Sequence, residues 1–210
     1  MADQMIEYEL GDVDLLSGET LRSAVLVAKS WGRLSAERDN VIVLPTYYTG
    51  THEGYAPLVG PGNVFDTDRY FVVSPNLFGN GESTSPSNAV DANSGPRFPQ
   101  VDVYDNVLCQ HRLLTENLDV TNIQLVAGWS MGAIQAFHWA VAFPDLVQRI
   151  LPWCGSARCS PHNQVFLAGV EAALRADPIY ADGHYDVPPE VGLKAFGRVY
   201  CGWAYSQTFF

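Results

Sequence analysis

The sequence predicts an α/β fold in which helices cover a mostly parallel sheet. Short apolar runs suited to buried strands alternate along the chain with stretches whose apolar residues recur at helical spacing, and this alternation is typical of such a fold. The most informative junction is residues 128–132, Gly-Trp-Ser-Met-Gly, which join an apolar run to an alanine-rich helical stretch. The length of 210 residues and the hydrophobic content of 47% allow one sizeable core.

The elements can be assigned in chain order. Residues 5–10 and 23–34 are expected to form an antiparallel start to the sheet, because turn-prone residues lie between them. Buried strands are expected at residues 41–44, 70–74, 123–127 and 147–153, each a compact apolar run. Helices are expected at residues 103–118, 133–143, 165–177 and 188–200, the first capped by Asp102. Residues 82–97, rich in Ser, Pro, Asn and Gly, are predicted to be a long surface loop.

The charge of the chain excludes some partners. Asp and Glu number 23 and Lys and Arg 12, which gives a net charge of −11. This charge would repel nucleic acid and anionic membranes, so neither is expected as a partner. No uninterrupted apolar stretch reaches the ~18 residues of a membrane-spanning helix. The acidic start of the chain lacks a signal-peptide pattern, so a cytoplasmic location is expected.

The cysteines do not predict a metal site. Cys154 and Cys159 are close in sequence, but no second pair and no suitably spaced histidines accompany them. Together with Cys109 and Cys201 they are expected to be buried free thiols. Residues 79–81, Gly-Asn-Gly, are expected to form a turn and not a phosphate-binding loop.

A strand, then Gly-x-Ser-x-Gly, then a helix is typical of the nucleophile elbow of α/β-hydrolases. In that elbow Ser130 would stand on a tight, strained turn that exposes its hydroxyl above the sheet. The flanking Gly128 and Gly132 are needed because side chains there would clash with the neighbouring strand and helix. The backbone N–H of Met131, at the start of the helix, could then stabilise a developing oxyanion.

Four stretches carry a more specific resemblance: residues 41–50, residues 76–83, the elbow together with Gln135-Ala136, and residues 155–157. Over nearly all its length the chain resembles the homoserine O-acetyltransferase-like branch of the α/β-hydrolases. The resemblance implies that Ser130 takes an acyl group from an acyl-CoA co-substrate and transfers it to a small hydroxyl acceptor, without a bound cofactor. It also implies a homodimer.

By the same resemblance, the oxyanion hole is formed by the backbone N–H groups of Met131 and of a residue near Tyr48. Simple pocket lining by Tyr47 and Tyr48 is the alternative. Two departures argue against homoserine as the acceptor more than against acyl transfer. Residues 82–86 read Glu-Ser-Thr-Ser-Pro where the acetyltransferases carry Gly-Ser-Thr-Gly-Pro, and Trp129 stands where they usually have glycine.

A serine nucleophile needs a histidine base and an acid, and in this fold both follow the serine along the chain. His138 lies in the elbow helix and should point away from Ser130, while His162 comes too early in the topology. His184 follows plausible acids, but its surroundings resemble the start of the family's helical lid. All three are therefore expected to be surface or core histidines.

The chain is accordingly expected to stop before the last two strands of the family's sheet. Residues 1–160 would be the N-terminal part of the hydrolase core, and residues 161–210 a helical segment that starts the lid. A second chain or a C-terminal segment would then supply the Asp and His. Three functions stay open: an acyltransferase, an esterase or thioesterase of the same fold, and a non-catalytic fragment that lacks the acid and histidine.

Overall fold

The computed structural model describes residues 3–210. Their contacts divide the chain into two units, one ending at Ala157 and the other spanning Arg158–Phe210. The boundary predicted from the sequence lies between residues 160 and 161. That the second unit is the start of a lid stays a prediction.

The first unit holds the sheet. Its strands are β1 (Gln4–Asp14), β2 (Thr20–Trp31), β3 (Val41–Val43), β4 (Val59–Gly60), β5 (Phe65–Asp66), β6 (Phe71–Pro75), β7 (Ile123–Trp129) and β8 (Ile150–Trp153). Its α-helices are α1 (Val103–Arg112), which continues as a π-helical turn at Leu113–Asn117, and α2 (Met131–Ala142). Short 3-10 helices lie at His52–Leu58, Asp91–Asn93 and Gly95–Arg97.

The main sheet has the strand order β1-β2-β6-β3-β7-β8 within the described residues. β1 and β2 form an antiparallel hairpin, and β2 pairs antiparallel with β6. From β6 onward the neighbours are parallel, with β3 between β6 and β7 and with β8 at the edge. The predicted fold class, a mostly parallel sheet flanked by helices, is confirmed.

Two hydrophobic clusters cover the two faces of this sheet. Val41 and Val43 point into the cluster beneath α1 and α2, which includes the fully buried Trp139. Ile42 points the opposite way, into a cluster that includes the buried Tyr55. Because successive side chains of a strand alternate between faces, an uninterrupted apolar run such as β3 is the expected sequence of a strand covered on both sides.

The structure departs from the sequence analysis in several places. The last predicted strand is shorter, since β8 begins at Ile150 and Val147 forms only an isolated bridge to Ile123. The predicted surface loop at residues 82–97 begins with buried residues, because the Ser83 and Thr84 hydroxyls accept N–H groups of β2. β4 and β5, a parallel pair of two-residue strands, were not predicted because they are too short to show a pattern.

The second unit consists of two packed helices, α3 (Pro161–Arg175) and α4 (Glu190–Ala204), with short 3-10 helices at Ala181–Gly183 and Gln207–Phe209. Ser160 caps α3 by accepting the N–H of Asn163, and Pro161 occupies the first turn, where its missing N–H costs nothing. The rings of Phe166 and Trp203 stack at 4.7 Å between the helices. Among residues 3–210, no helix is both long and apolar enough to cross a membrane.

A buried carboxylate links α3 to α4. Asp177 accepts the N–H groups of Gly192 at 2.9 Å and of Ile179 at 3.0 Å. These bonds, that from Gly192 first, lower the pKa of Asp177. A carboxylate whose pKa is lowered on folding stabilises the fold above its unfolded pKa, and this contribution is lost as the pH falls through the folded pKa.

Asp177→Asn is therefore expected to lower the midpoint of thermal unfolding at pH 7, because a neutral amide oxygen accepts these N–H groups less strongly than a carboxylate. The difference from the wild type should narrow as the pH falls below the pKa of an unfolded aspartate, about 4, and toward the lower pKa of Asp177 in the fold. Thermal unfolding curves at pH 7 and pH 3 measure this difference, and Asp186→Asn, which changes an exposed aspartate, is the control. A difference that is the same at both pH values would contradict the prediction.

The expectation of buried cysteines is correct for Cys109 and wrong for Cys154 and Cys159, which are exposed; Cys201 is partly buried. Cys109 faces the core from α1, and burial raises the pKa of its thiol to about 12. Cys154 and Cys159 follow the end of β8 in an irregular segment, a position that hydropathy alone does not reveal. Among the described residues no group of three His, Cys, Asp or Glu side chains is placed to hold a metal ion.

Candidate active site

Ser130 stands alone between the end of β7 and the start of α2. Its φ of 55° and ψ of −117° lie in a region that residues with a side chain rarely adopt, so the turn is strained. Its N–H donates to the carbonyl oxygen of Trp153 in β8 at 3.0 Å, and its carbonyl accepts the N–H of Ala133 at 3.0 Å. The residue is partly exposed. This is the geometry of a nucleophile elbow.

The glycines around Ser130 are required by close backbone contacts. A Cβ added to Gly128 would lie 2.0 Å from the carbonyl oxygen of Gly132. One added to Gly132 would lie 2.5 Å from the carbonyl oxygen of Pro45, and one added to Gly155 would lie 2.6 Å from that of Ser130. The strand, the helix and the two neighbouring loops therefore approach one another too closely for any side chain at these positions.

Met131 is the first residue of α2. The N–H groups of the first helical turn lie outside the i→i−4 ladder, and the helix dipole places partial positive charge there. An anion that forms on a substrate attached to Ser130 would lie beside this helix end. The arrangement is suited to stabilising an oxyanion, and the role of Met131 as a donor stays a prediction.

The loop after β3 carries Tyr48 and borders the elbow. Its turn closes through a bond from the Gly50 N–H to the Tyr47 carbonyl at 2.9 Å, and the Asn80 amide donates to the same carbonyl at 3.2 Å. The Tyr47 ring meets the Trp129 ring edge-on at 4.8 Å between centroids. Tyr48 itself is about half exposed. The loop is thus near enough to face the elbow, and the second oxyanion donor near Tyr48 remains a prediction.

Aromatic rings line one side of the elbow. Tyr55 contacts Tyr47 edge-on at 5.7 Å and Trp153 at 6.4 Å, and Trp129 stays 41% exposed beside Ser130. Tyr47 and Trp129 are identified from the sequence, whereas Tyr55 is not. Tyr55 lies in the 3-10 helix at His52–Leu58, which has no apolar periodicity that would have drawn attention to it.

A buried relay of side-chain amides runs from the core to the loop after β3. The indole N–H of Trp139 donates to Gln110 Oε1 at 3.1 Å, and Gln110 Nε2 donates to Gln135 Oε1 at 2.7 Å. Gln135 Nε2 then donates to the carbonyl oxygen of Thr46 at 2.7 Å. All four residues are fully buried. We call these four residues the amide relay; it connects α1 and α2 to the loop that carries Tyr48.

The histidines of the first unit have other partners. His52 is buried, with Nδ1 3.3 Å from Asn76 Oδ1 and Nε2 3.1 Å from a carboxylate oxygen of Glu53. These two partners account for the buried His52 ring by a structural role. His162 and His184 belong to the second unit.

His111 and His138 are packed between α1, α2 and the segment that follows. The His111 ring stacks on Phe143 at 3.9 Å, and burial lowers its pKa. The His138 ring lies 5.6 Å from the ring of Tyr104 in α1. The His111 ring therefore packs against Phe143 and the His138 ring against Tyr104, and neither contact involves Ser130.

The family is shown by comparison with known proteins. A family model described as the alpha/beta hydrolase fold matches residues 39–173. The chain belongs to the α/β-hydrolase fold family. Its resemblance to the homoserine O-acetyltransferase-like branch is confirmed, since its relatives include homoserine O-acetyltransferases alongside esterases.

Three relatives illustrate the range of activities named among the similar proteins. A probable esterase of Corynebacterium glutamicum is 34% identical over 204 residues, which are 95% of this chain and 58% of that protein. Ethyl acetate hydrolase of Pseudomonas veronii is 34% identical over 96% of this chain and 58% of its own length. A homoserine O-acetyltransferase of Geobacter sulfurreducens is 32% identical over 91% of this chain and 56% of its own length.

Solved structures agree with the fold. An acetylester hydrolase from Corynebacterium glutamicum superposes with a TM-score of 0.93 at 32% identity, over 98% of this chain and 60% of that one. A homoserine O-acetyltransferase from Bacillus anthracis superposes at 0.89 with 23% identity, which shows the fold alone; it matches 100% of this chain and 62% of its own. The chain spans about 58% of the length of the probable esterase and of the ethyl acetate hydrolase.

Proposed function

We propose that this chain supplies the nucleophile of an esterase that acts on short-chain acyl esters. The observation that carries the proposal is the strained Ser130 at the junction of β7 and α2. Its Oγ attacks the ester carbonyl carbon and gives up its proton to a base, and the alcohol leaves with a proton. Water then attacks the acyl-serine, which releases the carboxylic acid and restores the hydroxyl.

Two observations favour a small acyl group and water as the acceptor. Trp129 and the edge-on Tyr47 occupy space beside Ser130. Trp129 also stands where, according to the resemblance, the acetyltransferases usually have glycine. Relatives at 32–34% identity include an ethyl acetate hydrolase and an acetylester hydrolase.

Acyl transfer to a hydroxyl acceptor is the second candidate, with an acyl-CoA as donor. It is favoured by the homoserine O-acetyltransferases among the relatives, one of them 35% identical over 87% of this chain. Both reactions pass through the same acyl-serine, and they differ in what attacks it. Acyl release from acetyl-CoA that rises when homoserine or serine is added would favour the transferase, and an acceptor-independent rate would favour the esterase.

We further propose that the histidine base and the acid come from polypeptide outside these 210 residues, as a C-terminal segment or a second chain. The contacts of His52, His111 and His138 with other side chains support this. So does the edge strand β8, whose Leu151 is half exposed and could be covered by further strands. We also propose that the protein forms a homodimer and is located in the cytoplasm.

The test compares two proteins. One is the 210-residue chain, and the other is a fusion of this chain to the part of Pseudomonas veronii ethyl acetate hydrolase that it does not match. Both are treated with a fluorophosphonate, which reacts efficiently with a serine activated by a base, and the labelled peptide is mapped by mass. Hydrolysis of p-nitrophenyl acetate is measured in parallel.

We expect a label on Ser130 and ester hydrolysis in the fusion, and neither in the chain alone. A label on Ser130 in the chain alone would place the base within it and overturn the proposal of an external base. A folded fusion with no label on Ser130 would overturn the proposed nucleophile and favour a non-catalytic fragment.

A further inference from the structure

The hydroxyl of Tyr55 connects the two segments that carry the predicted oxyanion donors. It donates to the carbonyl oxygen of Pro45 at 2.9 Å and accepts the backbone N–H of Trp129 at 3.1 Å. Pro45 opens the loop that leads to Tyr48, and Trp129 directly precedes Ser130. A single oxygen atom is therefore bonded to both sides of the site.

The Tyr55 hydroxyl that makes this connection is buried and protonated. Tyr55 is 2% exposed, and burial raises its pKa to about 12. The hydroxyl is therefore protonated at neutral pH and donates to Pro45. A Cβ added to Gly132 would lie 3.0 Å from the same oxygen, so the helix that begins at Met131 also packs directly against it.

A second connection runs in parallel. In the amide relay, Gln135 in α2 donates to the carbonyl oxygen of Thr46, which ends the relay and directly follows Pro45. Tyr55 thus holds the loop to the end of β7, and Gln135 holds it to α2. Both bonds end on backbone carbonyls of the loop that carries Tyr48.

We propose that Tyr55 is a positioning residue, which sets the distance between the Met131 N–H and the second oxyanion donor in the loop after β3. The inference rests on the proposed function, because it assigns an oxyanion hole to this site. Two donors on separate segments stabilise one oxygen only if their spacing is fixed before the reaction begins. A displacement of about 1 Å at such a site costs about 100-fold in rate.

The test is Tyr55→Phe in the fusion protein, because phenylalanine keeps the ring contacts and removes only the hydroxyl. We expect kcat for p-nitrophenyl acetate to fall about 10- to 100-fold while KM changes less than about threefold, since the lost positioning acts on the transition state. Tyr70→Phe is the matched control: Tyr70 packs against the same hydrophobic cluster, but it directly precedes β6, at the end of the sheet opposite to the one where β3 leads into Pro45.

Amide exchange in the 210-residue chain provides a readout that is independent of activity. By NMR, the Trp129 N–H should exchange at least about tenfold faster in Tyr55→Phe, because it loses its acceptor. The Ser130 N–H, which donates to Trp153, is the internal reference and should change much less.

The outcomes separate this inference from the proposed function. An active wild-type fusion whose kcat is unchanged by Tyr55→Phe would overturn the positioning role and leave the function standing. An inactive, folded wild-type fusion would overturn both. Should Tyr55→Phe fail to fold, 4-fluorophenylalanine at position 55 keeps a ring substituent near the size of the hydroxyl and removes the O–H donor to Pro45; a selective loss of kcat would support the positioning role, and an unchanged kcat would overturn it.

Discussion

In the fusion protein, Ser130→Ala is expected to abolish fluorophosphonate labelling of the elbow peptide and to lower ester hydrolysis by at least about 1,000-fold. Removal of the nucleophile leaves only the contribution of oxyanion donors and substrate binding, so the loss is large but not total. Alanine keeps the Cβ of serine at the same φ of 55°, so the strain of the turn and the fold should be nearly unchanged.

The control for this experiment is Ser87→Ala, which changes an exposed serine outside the elbow. Label and rate should both match the wild type. Intact mass after labelling and the initial rate of p-nitrophenyl acetate hydrolysis measure the two effects. Hydrolysis that survives Ser130→Ala within a factor of about 10 would mean that another residue performs the chemistry.

Gly128→Ala is expected to destabilise the chain by about 3–5 kcal/mol or to prevent folding. The added Cβ would lie 2.0 Å from the carbonyl oxygen of Gly132 and 2.7 Å from the N of Ala133. These are backbone atoms of α2, which cannot rotate away as a flexible side chain could. Relief would require moving the helix away from β7, and the core beneath α2 would open with it.

The matched control is Gly169→Ala in α3, where nothing lies within 4 Å of the added Cβ. That substitution should stabilise the helix by about 0.5–1 kcal/mol, because alanine is the better helix former. Urea unfolding of the 210-residue chain measures both free energies. Equal effects at the two positions would contradict the steric origin of the Gly128 requirement.

Much of the elbow could be predicted from the sequence, because its evidence is local. An apolar run, the Gly-x-Ser-x-Gly spacing and an alanine-rich stretch lie next to one another, and the structure shows β7, Ser130 and α2 in that order. The same holds for β3 and β6, whose continuous apolar runs report burial on both faces. Local pattern is enough wherever neighbouring residues decide the conformation.

The parts that were missed depend on contacts between distant segments. Tyr55 and Gln110 are single polar residues whose hydrogen-bond partners, Trp129 and Gln135, belong to other elements. The residues next to them in the sequence show no pattern that would predict these two hydrogen bonds. The exposure of Cys154 is a similar case, since an apolar residue beside a strand is usually buried. The assignments of Met131 and Tyr48 as oxyanion donors stay predictions.

The amide relay has a polarity. An indole nitrogen can only donate, so Trp139 requires the oxygen of the Gln110 amide to face it. That choice turns the Gln110 nitrogen toward Gln135, and the same logic turns the Gln135 nitrogen toward the carbonyl of Thr46. The indole at one end of the relay can only donate and the Thr46 carbonyl at the other end can only accept, so both ends favour the same orientation of the two amides. A phenylalanine in place of Trp139 would leave the Gln110 oxygen without its donor, while the Thr46 carbonyl, which can only accept, would still hold the Gln135 nitrogen toward itself.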